Sequence, residues 1–235
     1  MEHAEAETPL NQFRLAETSD VGEFEESIRP IYGEVRFDRA NPLNEFKARA
    51  NYRVLDHSGI YYGHYGTRVK ISIPYARFIA QGVTLEGVGT HTIDGVERTL
   101  DNTVLPNAVL NSSRINLDLG NTHRHLAFCM KPEVVQQKLS ALIGIASDKK
   151  FSLAESARMS AAELQRFRRL LLLLVNELED RQTPPSNVLP VSYTHLRAHE
   201  TVLDLVCRLL LEKKKFTPTP EYPDLPSHDY PNQLT

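Results

Sequence analysis

The sequence predicts a mainly β fold with C-terminal helices: a jelly-roll or small barrel, preceded by one short helix and followed by two more. Three observations predict it. Between Phe46 and Met130, apolar and polar residues alternate in short runs broken by Gly, Pro, Asn and Asp, as strands joined by turns do. After Met130 the apolar residues change to helical i, i+3, i+4 spacing. Finally, 41% of the 235 residues are apolar against 24% charged, the balance of a globular chain long enough to bury a substantial core.

Each element has a local reason. Residues 1–18 are polar and acidic and read as a loose, disordered arm. Ser19-Asp20 caps a short helix running to about Ile31, with Val21, Phe24 and Ile28 at helical spacing and Pro30 limiting its last turn. Strands are expected over Phe46–Leu55, Gly59–Tyr65, Arg68–Ile73, Arg77–Leu85, Gly89–Thr92, Thr103–Val109, Arg114–Leu119 and His123–Met130. Asp94-Gly95 is a hairpin turn, and closure into a barrel protects the edges of strands this short. Pro132 suits the first turn of a helix that carries Val134, Val135, Leu139, Leu142 and Ile143 on one face and ends at Gly144. Ser160 to Glu163 form a capping box before a last helix, whose apolar stripe is Leu164, Phe167, Leu171, Leu174, Val175 and Leu178. Leu170, Leu172 and Leu173 widen that stripe beyond what one sheet face needs. They are the candidate dimerisation residues of a homodimer.

Lys plus Arg number 27 and Asp plus Glu 30, a net charge of −3 that counts against a domain devoted to nucleic acid. Two cysteines, Cys129 and Cys207, make no disulfide framework, so a reducing, cytoplasmic location is expected. The opening MEHAEAETPL lacks the basic and apolar regions of a signal peptide. The longest apolar run, Leu170–Val175, is too short to span a bilayer, and no membrane partner is expected.

The end of the chain differs in character. Phe216–Thr235 holds 5 of the 14 prolines and no Lys or Arg, and reads as a disordered tail. Ahead of it, Val191–Lys215 shows helical spacing in Leu203, Val206, Leu210 and Leu211, and His195 and His199 stand at i, i+4 as a metal pair would. The same string resembles the translated read-through of a transposase-type sequencing-library adapter. One reading frame accounts for Val191 to Thr201, a variable index for the next residues, a second fixed stretch for Leu205 to Leu211, and a poly-A run for Lys213 to Lys215. Residues 191–215 are therefore expected to be foreign, with their His pair and apolar pattern accidents of translation.

Four runs carry a family resemblance: Phe24 to Gly33, RFIAQGVTLEGVGTHTIDG from Arg77, RINLDLGNTHRHLAFCMKPEVVQQKLSALIG from Arg114, and RRLLLLLVNELED from Arg168. In order and spacing they resemble the N-terminal effector-binding and dimerisation half of AraC-type bacterial transcription regulators, over about Ser19 to Pro190. The resemblance implies a cupin-like regulatory barrel over 19–145, a helical dimerisation and linker segment over 146–190, and a small-molecule effector of unknown identity. It also implies a C-terminal DNA-binding domain of two helix-turn-helix units, for which no recognition helix follows here. A truncated regulator is expected, one that meets DNA only through a missing domain. Pro106-Asn107 stands where the family has a Pro-Gly turn.

The chemistry-bearing motifs are few. Cupin-type barrels can be metal enzymes that use His-x-His, then a Glu a few residues on, then a distant His. His123-Arg124-His125 supplies the first part, but no Glu follows within six residues, so no metal, cofactor or catalytic residue is assigned. There is no G-x-S-x-G elbow, Gly-rich phosphate loop or paired Cys motif. His64 and His91 stand alone and read as ordinary strand histidines, and Cys129 as a buried structural thiol. For ligand binding, Gln81 is the first candidate, since it shares a strand face with Ile79 and Val83 and needs a polar partner if buried. Arg114 and His125, on the late strands, are the others. A metal-dependent enzyme and a ligand-free oligomerisation module are the alternatives to a sensor.

Overall fold

A computed structural model describes residues 8–39, 45–103, 109, 113–144, 161–179, 201–202, 204 and 206–207. A 3-10 turn at Asn11–Phe13 leads into β1 (Arg14–Thr18), α1 (Val21–Tyr32), β2 (Arg36–Arg39), β3 (Ala48–Leu55) and β4 (Ser58–His64). There follow β5 (Val69–Ile73), β6 (Ile79–Glu86), β7 (Gly89–Ile93), β8 (Val96–Leu100), β9 (Ile115–Leu119) and β10 (Arg124–Met130). The helices α2 (Pro132–Ile143) and α3 (Ala161–Glu179) complete the order. The strands form two antiparallel five-stranded sheets, β1-β3-β4-β10-β6 and β2-β5-β9-β7-β8. They face each other as a jelly-roll, the architecture the sequence predicts.

The two sheets are patterned differently for a physical reason. In the second, Val69, Ile71 and Ile73 face the core while Lys70 is exposed, the alternation of a sheet with one wet face. The first is covered on both faces, by the barrel core inside and by the helices outside. Its middle strands β4 and β10 therefore read as nearly continuous apolar runs, with no solvent side to keep polar. Inside, Phe24 of α1 meets Phe37, Phe46 and Tyr65 edge-on at 5.3, 5.9 and 5.8 Å between ring centres. Outside, Tyr62, Leu126 and Phe128 pack with Val135 and Leu139 of α2 and with Phe167, Leu171 and Leu174 of α3.

The helix α1 closes one side of the barrel, and its start is specified locally. Asp20 Oδ1 accepts from the Glu23 backbone N–H at 2.8 Å, and Thr18 Oγ1 donates to Glu23 Oε2 at 2.6 Å. Pro30 sits within the last turn, which runs on to Tyr32 before Gly33, at φ 75°, ends the helix by donating to the Arg29 carbonyl at 2.8 Å. Glu25 Oε1 accepts from the Phe37 N–H at 2.6 Å and ties α1 to β2. Asp20→Ala is expected to cost about 1 kcal/mol in urea denaturation. An unchanged midpoint would show that the cap does not hold α1.

Several expectations need correction. Residues 8–18 are not a loose arm: Leu10 is fully buried among the helix-side apolar residues, and β1 pairs with β3. An edge strand with one buried residue, Ala16, carries too little alternation to be read from sequence. The polar strand β2 and the mostly exposed β8 were missed for the same reason. The turn at Asp94-Gly95 is as expected, with φ of 49° and 87° suiting a two-residue hairpin loop. Gly144 closes α2 in the left-handed conformation, also as expected. Most of the Thr103–Val109 strand, the Ser160 capping box and the Leu164 and Ile143 side chains lie outside the described residues. Val109 itself bridges to Ala80.

The stretch read as foreign also contributes to the helical layer. Thr201, Val202, Asp204, Val206 and Cys207 are helical; Val202, Val206 and Cys207 are buried with α2 and α3, and Asp204 lies 3.0 Å from Lys138 Nζ. Apolar residues at i, i+4 and i+5 fall on one helix face, and that face is the one buried with α2 and α3.

Candidate functional site

Small side chains create the one site of interest within the barrel. On the inner face of the first sheet, Ala80, Gly82 and Ala127 stand opposite Ile71, Leu117 and Leu119 of the second. The space they leave is a cavity of about 120 Å³, bounded on the α1 side by Ile28 and Tyr32. Tyr32 meets Tyr61 and Phe78 edge-on, each at 5.1 Å between ring centres, so the wall beside α1 is aromatic, while the rest of the lining is mainly Ile, Val, Leu and Ala.

Polar groups cluster where β4 and β10 pair. The His125 ring lies 5.7 Å from Tyr61, 6.0 Å from Tyr65 and 5.5 Å from His123, measured between centres. Gly63, paired with His125 across the strands, makes this crowding possible. A Cβ there would sit 2.8 Å from both His125 Cε1 and Tyr61 Cε1 and 3.0 Å from Tyr65 Oη. His91 of β7 completes the polar wall from the second sheet. Beside it, His64 Nδ1 lies 3.2 Å from the His123 carbonyl oxygen, a hydrogen bond in the tautomer that donates there.

This polarity is uncharged at neutral pH. Burial, with the neighbouring His123 and His64, pushes His125 down to about 3. Burial, with His64, pushes His123 down to about 4, and burial with Arg98 does the same to His91, also to about 4. Burial holds the Tyr32, Tyr61 and Tyr65 hydroxyls above the ordinary phenol range. Among the described residues lining the cavity there is no Asp, Glu, Lys or Arg. Yet His91 Nε2, His123 Nδ1 and His125 Nδ1 have no hydrogen-bond partner, although His91 and His123 are only 3% and 1% exposed. Buried polar atoms left unpaired are costly, and a guest that pairs with them recovers that cost.

The three ligand candidates from sequence are not brought together. His125 is in the cavity wall. Gln81 is buried but shares its strand face with Ile79, under the helices, and its Nε2 donates to the Gly82 carbonyl at 3.3 Å. Arg114 is exposed, and its backbone N–H donates to Asp94 Oδ1 at 2.7 Å. The wall residues that sequence reasoning passed over are His91, His123, Tyr61 and Tyr65. The Tyr61-Gly63-Tyr65 alternation, facing the His-x-His strand, was the available signal. Of the dimerisation candidates, Leu170 and Leu172 are partly buried against the helical layer, and Leu173 is 52% exposed. Among the described residues, no three His, Cys, Asp or Glu are grouped to hold a metal ion, and no helix is long and apolar enough to cross a membrane.

The model of the AraC-binding-like domain family matches residues 24–210, from the middle of α1 through the whole cavity wall. The chain belongs to the AraC-binding-like domain family. Among solved structures, this AraC-binding-like domain is similar to the AraC-like transcriptional activator CuxR, with a TM-score of 0.60 and 11% identity over 88% of this chain and 73% of that one. Two cupin domains match more partially. One, from Rhodospirillum rubrum, has a TM-score of 0.33 and 10% identity over 41% of this chain and 69% of its own. The other, Cnp3 of Schizosaccharomyces pombe, has a TM-score of 0.34 and 10% identity over 45% of this chain and 78% of its own. No curated protein matches the sequence. The family match to the AraC-binding-like domain runs across most of 191–215 as well.

Proposed function

We propose that this chain is the effector-sensing and self-association part of an AraC-type transcription regulator. The observation that carries the proposal is the barrel cavity with unpaired imidazole nitrogens, lying inside the segment that the family match spans. A sensor needs an internal site whose filling stabilises one state of the fold, and a small-molecule effector there would act by that linkage. CuxR, described as an AraC-like transcriptional activator, shares the architecture. In this proposal the domain is a sensor and not an enzyme. The described wall residues offer neutral hydrogen-bonding groups but no carboxylate or lysine to drive a reaction.

Self-association is assigned to α3, through exposed Leu173 with Leu170 and Leu172 beside it. Fused to a DNA-binding domain that works only as a dimer, the chain is expected to repress a reporter, and Leu173→Glu to relieve that repression. Equal repression by the variant, or a monomer in sedimentation of the fusion, would refute the interface. Contact with DNA belongs, in the same proposal, to a helix-turn-helix part encoded after codon 190, with 191–215 foreign. Genomic sequence across that codon is expected to continue into two such units. Finding the codons for 191–215 in intact cellular DNA would overturn that part of the proposal.

A further inference from the structure

We infer that the barrel cavity receives a small, uncharged aromatic molecule bearing a hydroxyl group, with its ring against the tyrosine and phenylalanine wall and its hydroxyl at the His91, His123 and His125 nitrogens. The inference rests on the effector-site proposal above and names the chemical class of the effector.

Size sets the first limit. A cavity of about 120 Å³ is close to the roughly 150 Å³ that holds a benzene molecule in an apolar protein interior. One six-membered ring with a one-atom substituent is the largest guest this volume suits, and a nucleotide or disaccharide exceeds it. Shape sets the second. The edge-on contacts of Tyr32 with Tyr61 and Phe78, at interplanar angles of 84° and 75°, give the wall flat faces and ring edges that suit a flat guest.

Charge decides between the ring compounds. An ionised guest would leave its water shell and find, among the described wall residues, no Asp, Glu, Lys or Arg to oppose it. The imidazoles do not supply that charge, because burial keeps all three neutral, helped by Arg98 at His91 and by neighbouring histidines at His123 and His125. Polarity then selects the hydroxyl. His91 Nε2 and His123 Nδ1 belong to side chains only 3% and 1% exposed and have no partner. Each nitrogen donates or accepts according to tautomer, and a hydroxyl both donates and accepts, so it serves either form. Water would satisfy the nitrogens but would leave the aromatic wall without contact.

The test is calorimetric titration of the full chain at about pH 7.5, where phenol and toluene are neutral and benzoate and benzylammonium are charged. Phenol is expected to bind roughly two- to tenfold more tightly than toluene, the net worth of one hydrogen bond. Benzoate and benzylammonium are expected to bind at least roughly tenfold more weakly than phenol. In His125→Phe and His123→Phe the ratio of phenol to toluene affinity should fall towards one, with toluene binding retained as evidence that the cavity is intact. If a variant does not fold, the comparison of the four probes on the unaltered chain still decides. A charged probe that matches phenol, a phenol that binds no better than toluene, or a failure of all four to bind would overturn the inference. The reporter fusion uses none of these probes. Repression there alongside failed titrations would put the ligand class in error and leave the regulator assignment standing.

Discussion

Acidification from about pH 7.5 to about pH 5 is expected to remove on the order of 2 kcal/mol of stability for each of His91, His123 and His125. All three are neutral in the fold because burial depresses them, His91 and His123 to about 4 and His125 to about 3. In the unfolded chain they titrate near the ordinary value of about 6.5. Above that pH neither state holds the protons, and the histidines' contribution is fully present. Below it the unfolded chain takes up protons that the folded chain refuses, so stability falls between about pH 6.5 and about pH 4. The combined loss is of the same order as the whole stability of a typical domain, so the barrel should unfold near its acid limit in one steep transition. His123 and His125 lie 5.5 Å apart, so protonating one raises the cost of protonating the other and carries the loss to lower pH. Urea denaturation across this range measures the effect, and His125→Phe should flatten it. Equal midpoints at about pH 7.5 and about pH 5, or an undiminished slope in the variant, would show that these histidines do not control acid stability.

Leu171→Ala is expected to cost about 2–5 kcal/mol, and Leu173→Ala close to nothing in the monomer, although two positions separate them on one helix. Leu171 is fully buried against the outer face of the first sheet, where truncation leaves a cavity that Tyr62 and Phe128 cannot collapse to fill. Leu173 is 52% exposed and has little contact to lose. Because α3 packs on the outer cluster and not on the barrel core, the loss should appear first as detachment of the helical layer. Chemical denaturation followed by helix signal and by tyrosine fluorescence would separate the two layers. Similar losses in both variants would mean that α3 is seated with a different face inward.

The balance between these two layers explains what could be read in advance. Strands β4 and β10 were legible as short apolar runs, β5 by the alternation Val69-Lys70-Ile71 of a sheet with one wet face, and helix α1 by the helical spacing of Phe24 and Ile28. Caps and turns were legible because their chemistry is local, as at Asp20, Asp94-Gly95 and Gly144. The sequence by itself therefore determined the class of fold and the order of most of its elements. It did not determine β1, because a strand with one buried residue is fixed by the register of its neighbour β3. Nor did it determine the site. Gln81 and Ala80 are adjacent in sequence, and which of them meets the cavity depends on which face of the first sheet turns toward the second and which toward α2 and α3. That choice follows from the sum of apolar area on each side, not from either residue alone. His91, His123 and His125, from two sheets, share one wall only once the barrel closes, and their neutrality is a consequence of that enclosure. Tertiary structure decides it, because desolvation acts on a group through everything packed around it, wherever in the chain those neighbours lie.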